Sequence, residues 1–341
     1  MTDSADELGL ARSCDPVREQ STGRQVLVNL SNRVGSPLIV VLGPTASGKS
    51  ALGIRLAGEL DGEILVCDST QVYRAFNIGT AKVPRAEQQA IAHHLVDLVE
   101  PHEVFTAGQY RQRALEVLED LRQRKKTPIL TAGTGLYLRA LLEGLAEAPT
   151  RSDQLRERLG GRLKQHGTSY LYRLLARLDP ESARRIAPRD AQKIIRALEI
   201  RVLAGKSVSE IHRAGRQPLE GYQIAKIGLL PPRAALYARI NARVESMIKA
   251  GWPGEVAELI KRDIPAGAKP FQFIGYAELR RQIEGGRNPE EAVAAIQQAT
   301  RRFAKRQITW FRKEPGVEWL TGFGDDLTVA SAALGLARAR G

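Results

Sequence analysis

The glycine-rich segment at residues 43–50 limits the fold of this chain more than any other feature. It matches the pattern G-x-x-x-x-G-K-[ST], with the residues Gly43, Pro44, Thr45, Ala46, Ser47, Gly48, Lys49 and Ser50. A short apolar, β-branched run precedes it, and a helical pattern follows it. A strand, a glycine loop and a helix in this order point backbone N–H groups and the positive helix end at a phosphate. The segment therefore predicts a di- or triphosphate site, in which Lys49 supplies charge and Ser50 binds Mg²⁺.

Short apolar runs alternate with helical patterns along much of the chain. The runs lie at residues 37–42, 62–67, 94–99, 128–131 and 222–229. Such alternation predicts a mostly parallel sheet with right-handed crossovers, so we expect an α/β fold of the P-loop NTPase type. Ligands of such sheets bind beyond the carboxyl ends of the strands. Because the glycine loop, Asp68 and Thr134 each follow a strand, we expect them to lie together.

Residues 150–216 differ from the rest of the chain because they contain helical patterns but no strand pattern. We interpret them as a helical insertion into an α/β core formed by residues 36–149 and 217–325. Helical patterns at residues 233–250 and 289–313 belong to that core. We expect residues 1–35 to be a disordered extension and residues 326–341 to be a C-terminal tail.

The net charge of +13 is unevenly distributed. Residues 151–216 hold 16 Lys and Arg against seven Asp and Glu, and residues 301–313 hold six Lys and Arg with no acidic residue. Two basic regions on a nearly neutral body are typical of a protein that binds a polyanion such as a nucleic acid. The alternative is that both regions are solvated helix faces.

The composition narrows the class of protein. Two cysteines are too few for a disulfide or zinc framework. No apolar run is long enough to span a membrane, and the polar first 35 residues do not resemble a signal peptide. We therefore expect a cytoplasmic protein that has no membrane partner.

Three side chains near the predicted phosphate site are candidates for chemistry. Asp68 could bind Mg²⁺, act as a general base, or simply cap a turn. Thr134 lies between two glycines, so its hydroxyl could bond a leaving-group oxygen, although an N-cap role explains it nearly as well. Arg243, one helical turn after Arg239, could bind a diphosphate or lie on a solvated face.

Six segments, in order along the chain, resemble the tRNA dimethylallyltransferases, which are also called tRNA isopentenyltransferases. They lie at residues 43–50, 68–82, 132–137, 192–199, 274–276 and 303–312. The last one, F-A-K-R-Q-I-T-W-F-R, is long and specific. The resemblance spans about residues 36–320 and leaves out the N-terminal extension. No zinc-finger pattern follows it, so we expect the bacterial form.

The resemblance implies transfer of a dimethylallyl group from dimethylallyl diphosphate to the exocyclic amine of the adenosine 3′-adjacent to a tRNA anticodon. It implies that residues 43–50 bind the diphosphate with Mg²⁺ at Ser50, and that Lys49, Asp68, Thr134 and Arg243 serve catalysis. It further implies that the tRNA anticodon stem-loop is bound. We expect the protein to be a monomer. The implied tRNA contacts are Asp68, Ser69, Thr70, Gln71, Thr134, Arg156, Gln192, Lys193, Ile194, Ile195, Arg196, Lys305, Arg306, Gln307, Ile308, Thr309, Trp310, Phe311 and Arg312.

Three other functions share parts of this pattern. An adenylate isopentenyltransferase acting on free AMP or ATP would use the same loop but has less need of the basic regions. A small-molecule kinase would bind ATP at the loop and needs a second metal-binding carboxylate. An RNA-binding protein without activity could retain the loop alone.

Overall fold

The computed structural model describes residues 35–84, 90–213, 215–262, 264–286 and 288–340. An extension was expected at residues 1–35, and its residues 1–34 lie outside the described part of the chain. Within the described residues, six parallel strands form one sheet in the order β3-β2-β4-β1-β5-β6. The strands are β1 (Ser36–Leu42), β2 (Gly62–Cys67), β3 (His93–His94), β4 (Thr127–Ala132), β5 (Tyr222–Leu229) and β6 (Val317–Leu320). The predicted α/β fold is therefore confirmed.

Helices connect the strands and follow them in the chain. They are α1 (Lys49–Glu59), α2 (Ala107–Gln123), α3 (Gly135–Leu142), α4 (Asp153–His166), α5 (Thr168–Leu178), α6 (Pro180–Arg185), α7 (Ala191–Ala204), α8 (Val208–Arg213), α9 (Arg233–Lys249), α10 (Trp252–Lys261), α11 (Tyr276–Gly285), α12 (Pro289–Phe311) and α13 (Leu327–Arg340). A 3₁₀ helix, Lys269–Gln272, precedes α11. No helix in this part of the chain combines the length and the apolar character needed to cross a membrane.

The sheet is covered by helices on both faces. Alternate side chains of β1 enter opposite cores: Leu38 and Val40 pack on one face, and Ile39 and Val41 pack on the other. Helices α1 and α13 cover the second face, whereas α2, α3, α10, α11 and α12 contribute to the first. Since β1 is central and buried on both sides, the loop after it has a rigid base.

Two parts of the sheet differ from the sequence expectation. The strand expected over residues 94–99 ends at His94, because Leu95 and Asp97 adopt positive φ angles of 67° and 52° that interrupt an extended strand. The edge strand β6 was not predicted. Its burial is only partial, so its four residues show no continuous apolar run.

The expected C-terminal tail at residues 326–341 is also different in the structure. Most of it forms α13, which packs Val329, Ala330, Ala333 and Ala337 against the sheet. Small alanines give little contrast between an apolar and a polar helix face, which explains why the sequence did not reveal this contact.

Helices α4 to α8 pack around an apolar cluster of their own. Its buried side chains include Leu159, Leu171, Leu175, Ile194 and Leu198. These helices correspond to the helical patterns expected between residues 150 and 216. The division of the chain into domains at those boundaries stays a prediction.

Two helices hold the segment after Asp68 in place. The carboxylate of Glu255 on α10 accepts hydrogen bonds from the backbone N–H groups of Asn77 and Ile78. The Tyr276 hydroxyl, at the start of α11, donates to the same carboxylate and accepts from the N–H of Gly79. This contact joins two of the segments on which the resemblance rests, residues 68–82 and 274–276.

Candidate active site

Three loops meet at the carboxyl edge of the sheet, as expected from the strand order. Strands β2, β4 and β1 are neighbours, so Asp68, the turn at Gly133 and the glycine loop converge. They border a cavity of about 270 Å³. Its lining includes Lys49, Ser50, Asp68, Gly133, Arg239 and Arg243. The cavity therefore joins a strongly cationic side to a carboxylate.

The glycine loop is held closely by a loop from the end of the chain. Gly48 has a positive φ of 85°, and a Cβ atom there would lie 2.7 Å from Asp325 Oδ1 and 2.7 Å from the Gly324 nitrogen. The N–H of Gly324 donates to the Ser47 carbonyl at 2.9 Å. Any other residue at position 48 would displace this loop, which explains the second glycine of the motif.

Lys49 carries a perturbed ammonium group. Its Nζ donates to the Pro44 carbonyl at 2.7 Å. Burial lowers the pKa of Lys49 to about 7; the nearby Asp68 opposes this shift, and Arg243 adds to it. The side chain still faces the cavity. An anion bound there would stabilise the charged ammonium.

Two arginines of α9 add positive charge to the same wall. Arg243 Nη1 lies 3.4 Å from Thr45 Oγ1, and burial lowers the pKa of its guanidinium, which stays charged at neutral pH. Arg239 makes a bidentate ion pair with Asp325, at 2.7 and 2.9 Å, and lies over the Phe323 ring. Arg243 thus contacts the glycine loop, whereas Arg239 lines the cavity and also binds the loop before α13, which contains Phe323 and Asp325.

One carboxylate oxygen of Asp68 is occupied and the other is available. Oδ1 accepts hydrogen bonds from the N–H and the hydroxyl of Thr70, at 2.8 and 2.6 Å. In the described part of the chain, Oδ2 accepts no hydrogen bond, and a Cβ at position 133 would lie 3.0 Å from it. Gly133 therefore leaves room beside an oxygen that can accept a proton or bind a metal.

Thr134 contacts the segment of Asp68 rather than the cavity. Its Oγ1 accepts from the Ser69 N–H at 2.9 Å and lies 3.2 Å from the Ser69 hydroxyl. Thr134 is not among the described residues that line the cavity. A contact with a leaving group requires its hydroxyl to turn away from Ser69.

Ser50 and Asp68 are the oxygen donors that could hold a divalent cation. Both line the cavity. Among the described residues, no three His, Cys, Asp or Glu side chains come together to form a metal site. Mg²⁺ commonly keeps waters and substrate phosphate oxygens alongside one or two protein ligands, so this donor set fits Mg²⁺ shared with a diphosphate.

Three of the expected tRNA contacts have buried side chains, and their contact with tRNA stays a prediction. Ile194 and Phe311 are fully buried in apolar clusters. Gln307 is 6% exposed and bonds the backbone of two loops.

Two expected contacts in the insertion share a buried carboxylate. Arg156 and Arg196 both donate to Glu199, at 2.8 and 2.6 Å. Burial would raise the pKa of Glu199, but these hydrogen bonds outweigh it and lower that pKa to about 2. Both guanidinium groups remain partly exposed. They join α4 to α7 and can present only their remaining donors to a phosphate.

The other expected contacts lie at least partly at the surface. Seven side chains are exposed: Gln192 and Lys193 on α7, and Lys305, Arg306, Thr309, Trp310 and Arg312 at the end of α12. The remainder, namely Ser69, Thr70, Gln71, Ile195 and Ile308, are half-buried. The exposed set forms two basic surfaces, one on the insertion and one on α12.

Two residues at the site were missed by sequence reasoning. Asp325 lies in a segment outside the resemblance, and its partner Arg239 is 86 residues away. Gln307 was named only as an implied tRNA contact, and its hydrogen bonds to the two loops were not predicted. No local sequence pattern indicates either contact, because each contact joins residues that are far apart in the chain.

Comparison with known proteins identifies relatives along most of the chain. A family model described as IPP transferase matches residues 71–314. A protein named tRNA dimethylallyltransferase from Koribacter versatilis is 48% identical over 297 residues, which cover 87% of this chain and 96% of the relative. A protein of the same name from Solibacter usitatus is 46% identical over 298 residues, which cover 87% and 97%.

Solved structures give the same result. The crystal structure of the full-length tRNA isopentenylpyrophosphate transferase from Bacillus halodurans matches with a TM-score of 0.65 and 33% identity, covering 89% of this chain and 98% of that one. A eukaryotic dimethylallyltransferase acting on tRNA matches with a TM-score of 0.74 and 26% identity, covering 86% and 75%.

Proposed function

Since this chain belongs to the IPP transferase family of tRNA dimethylallyltransferases, we propose that its cavity transfers a dimethylallyl group from dimethylallyl diphosphate to tRNA. The acceptor is the exocyclic N6 amine of the adenosine 3′-adjacent to the anticodon, and the product is N6-isopentenyladenosine. The observation that carries this proposal is the meeting of Lys49 and Arg243 with Asp68 around one cavity. A cationic wall suits the diphosphate, and a carboxylate with an available oxygen suits the amine.

The reaction requires one bond to form and one to break. The N6 nitrogen attacks C1 of the dimethylallyl group, the C1–O bond breaks, and diphosphate leaves with the electron pair. One N6 proton passes to Oδ2 of Asp68, which acts as general base. Because an adenine amine is a poor nucleophile, stabilising the departing diphosphate is the main electrostatic task, and Lys49 and Arg243 perform it. Thr134 donates a hydrogen bond to the bridging oxygen after turning from Ser69.

Mg²⁺ is the cofactor that fits this arrangement. Ser50 and Asp68 would hold it together with diphosphate oxygens. When bound, it neutralises negative charge on the leaving group.

The basic surfaces of the insertion and of α12 are suited to the tRNA anticodon stem-loop. Lys193, Lys305, Arg306 and Arg312 are exposed and can neutralise backbone phosphates. The target adenosine must leave the anticodon stack to reach Asp68, in the manner of base-flipping enzymes. We further propose that the protein acts as a monomer in the cytoplasm, where its tRNA substrate is found.

Transfer is tested by incubating the protein with dimethylallyl diphosphate, Mg²⁺ and unmodified tRNA, with AMP in a parallel reaction. The nucleosides are then analysed by mass spectrometry. We expect isopentenyladenosine from the tRNA only. Product from AMP alone would indicate an adenylate isopentenyltransferase, and ATP turnover without either product would indicate a kinase.

The Arg239–Asp325 pair gives a prediction about diphosphate affinity. Arg239 lowers the pKa of Asp325, so this carboxylate is ionised and holds the guanidinium beside the cavity. Exposed ion pairs contribute up to about 1 kcal/mol, so we expect Asp325→Asn to tighten diphosphate binding about two- to fivefold by releasing Arg239. Calorimetric titration with inorganic diphosphate measures this change.

The matched control is the double variant Arg239→Gln/Asp325→Asn. We expect it to bind diphosphate no more tightly than Arg239→Gln alone, because the released group is absent. Weaker binding by Asp325→Asn would instead mean that Asp325 orients Arg239 for the substrate.

A further inference from the structure

A buried glutamine of α12 links the glycine loop to the loop after β4. Gln307 Oε1 accepts a hydrogen bond from the Thr45 N–H at 2.8 Å, and Nε2 donates to the Gly133 carbonyl at 2.8 Å. These partners lie 262 and 174 residues away in the chain. Both distances are typical of N–H···O hydrogen bonds. The side-chain amide makes one bond with its oxygen as acceptor and the other with its nitrogen as donor.

The first hydrogen bond orients the peptide unit that holds Lys49. The Thr45 N–H belongs to the same planar peptide as the Pro44 carbonyl, and that carbonyl accepts from Lys49 Nζ at 2.7 Å. Because the peptide is rigid, fixing its N–H fixes the direction of its carbonyl. Gln307 therefore fixes the orientation of the Pro44 carbonyl, which accepts the hydrogen bond from the Lys49 ammonium.

The second hydrogen bond orients the peptide unit before Thr134. The Gly133 carbonyl is bound by Gln307, and the Thr134 N–H of the same peptide donates to the Cys67 carbonyl at 3.0 Å. This peptide is thus held at both ends, next to Asp68. Its rotation would move Thr134 and would change the space that Gly133 leaves beside the carboxylate.

We propose that Gln307 is a positioning residue that fixes Lys49 relative to Asp68 and Thr134 for prenyl transfer. This proposal rests on the proposed function. To bind both loops, the side chain at position 307 must be as long as glutamine and must end in one hydrogen-bond donor and one acceptor. Glutamate supplies acceptors only when ionised, and methionine supplies neither hydrogen bond at similar volume.

The test compares Gln307→Met with the wild type. We expect kcat under saturating substrates to fall about 10- to 100-fold, because misplacement of reacting groups by about 1 Å has this effect. We expect the dissociation constant for tRNA to stay within twofold, since Gln307 lines the cavity and not either of the basic surfaces. Inorganic diphosphate should bind about 3- to 10-fold more weakly at one fixed pH, because the carbonyl that holds the Lys49 ammonium is no longer fixed.

The variant Gln307→Glu provides a second measurement with little change of shape. An ionised glutamate cannot donate to the Gly133 carbonyl, whereas a protonated one can. We therefore expect activity relative to wild type to recover as the pH is lowered. The matched control is Gln297→Met: this half-buried glutamine of α12 contacts Asn241 and Glu245 and neither loop, so we expect wild-type kcat and wild-type affinity for diphosphate.

Two results would overturn the proposal. Weaker tRNA binding with unchanged kcat would make Gln307 a tRNA contact, and a lower melting temperature with unchanged kcat per folded molecule would make it only structural. If the wild-type protein transfers no prenyl group, the proposed function fails. The change in affinity for inorganic diphosphate caused by Gln307→Met then still decides whether Gln307 positions Lys49.

Discussion

Replacing Asp68 by Asn is expected to reduce prenyl transfer on the order of 10³-fold while leaving tRNA binding within about twofold. The change preserves the shape of the side chain and the acceptor that Thr70 contacts. It removes the negative oxygen beside Gly133 that would receive the N6 proton. Single-turnover transfer with saturating tRNA measures the first effect, and filter binding of labelled tRNA measures the second.

Asp120→Asn is the matched control for this variant. Asp120 is an exposed aspartate of α2 that pairs with Arg124, so we expect transfer at the wild-type rate. If Asp68→Asn keeps more than about a tenth of the activity, Asp68 is not the general base. If added Mg²⁺ restores the lost activity, the carboxylate serves mainly as a metal partner.

The sequence predicted the convergence of the site better than its contacts. Glycine loop, Asp68 and Thr134 were expected together because each follows a parallel strand, and strand ends of one sheet share an edge. That argument needs only the strand pattern and the adjacency of β1, β2 and β4. It predicts where loops meet but not how their side chains bond, so the Thr134–Ser69 contact was not foreseen.

The contacts that sequence reasoning missed all depend on tertiary packing. The helical spacing of α12 places Gln307 on the same stripe as Ile296 and Phe311, but spacing alone does not indicate that its amide bonds two distant loops. Asp325 meets Arg239 only because α13 packs on the sheet and brings its preceding loop over Gly48. Because α13 has only a weak amphipathic pattern, its packing on the sheet was not predicted. The position of the loop that contains Asp325, beside the glycine loop, was therefore not predicted either.

The affinity for inorganic diphosphate is expected to fall as the pH rises above 7, through the titration of Lys49. In the free protein, burial lowers the pKa of Lys49 to about 7, so the ammonium loses its proton there. A bound diphosphate raises this pKa, because an adjacent anion favours the charged form. Binding above pH 7 must then take up a proton, which weakens it by up to about tenfold per pH unit. Calorimetric titrations from about pH 6 to 8.5, in buffers of different ionisation enthalpy, measure both the affinity and the proton uptake.

The variant Lys49→Met separates this effect from the titration of diphosphate itself. At about pH 6 we expect it to bind about 10- to 100-fold more weakly than wild type, the contribution of a hydrogen bond to a charged group. Because methionine does not titrate, its affinity follows the ligand alone, and the ratio of the two dissociation constants should shrink steadily above pH 7. A ratio that stays constant over the whole range would show that Lys49 keeps its proton throughout. The cationic wall would then act as a fixed charge, and its affinity for the leaving group would not depend on the burial of this lysine.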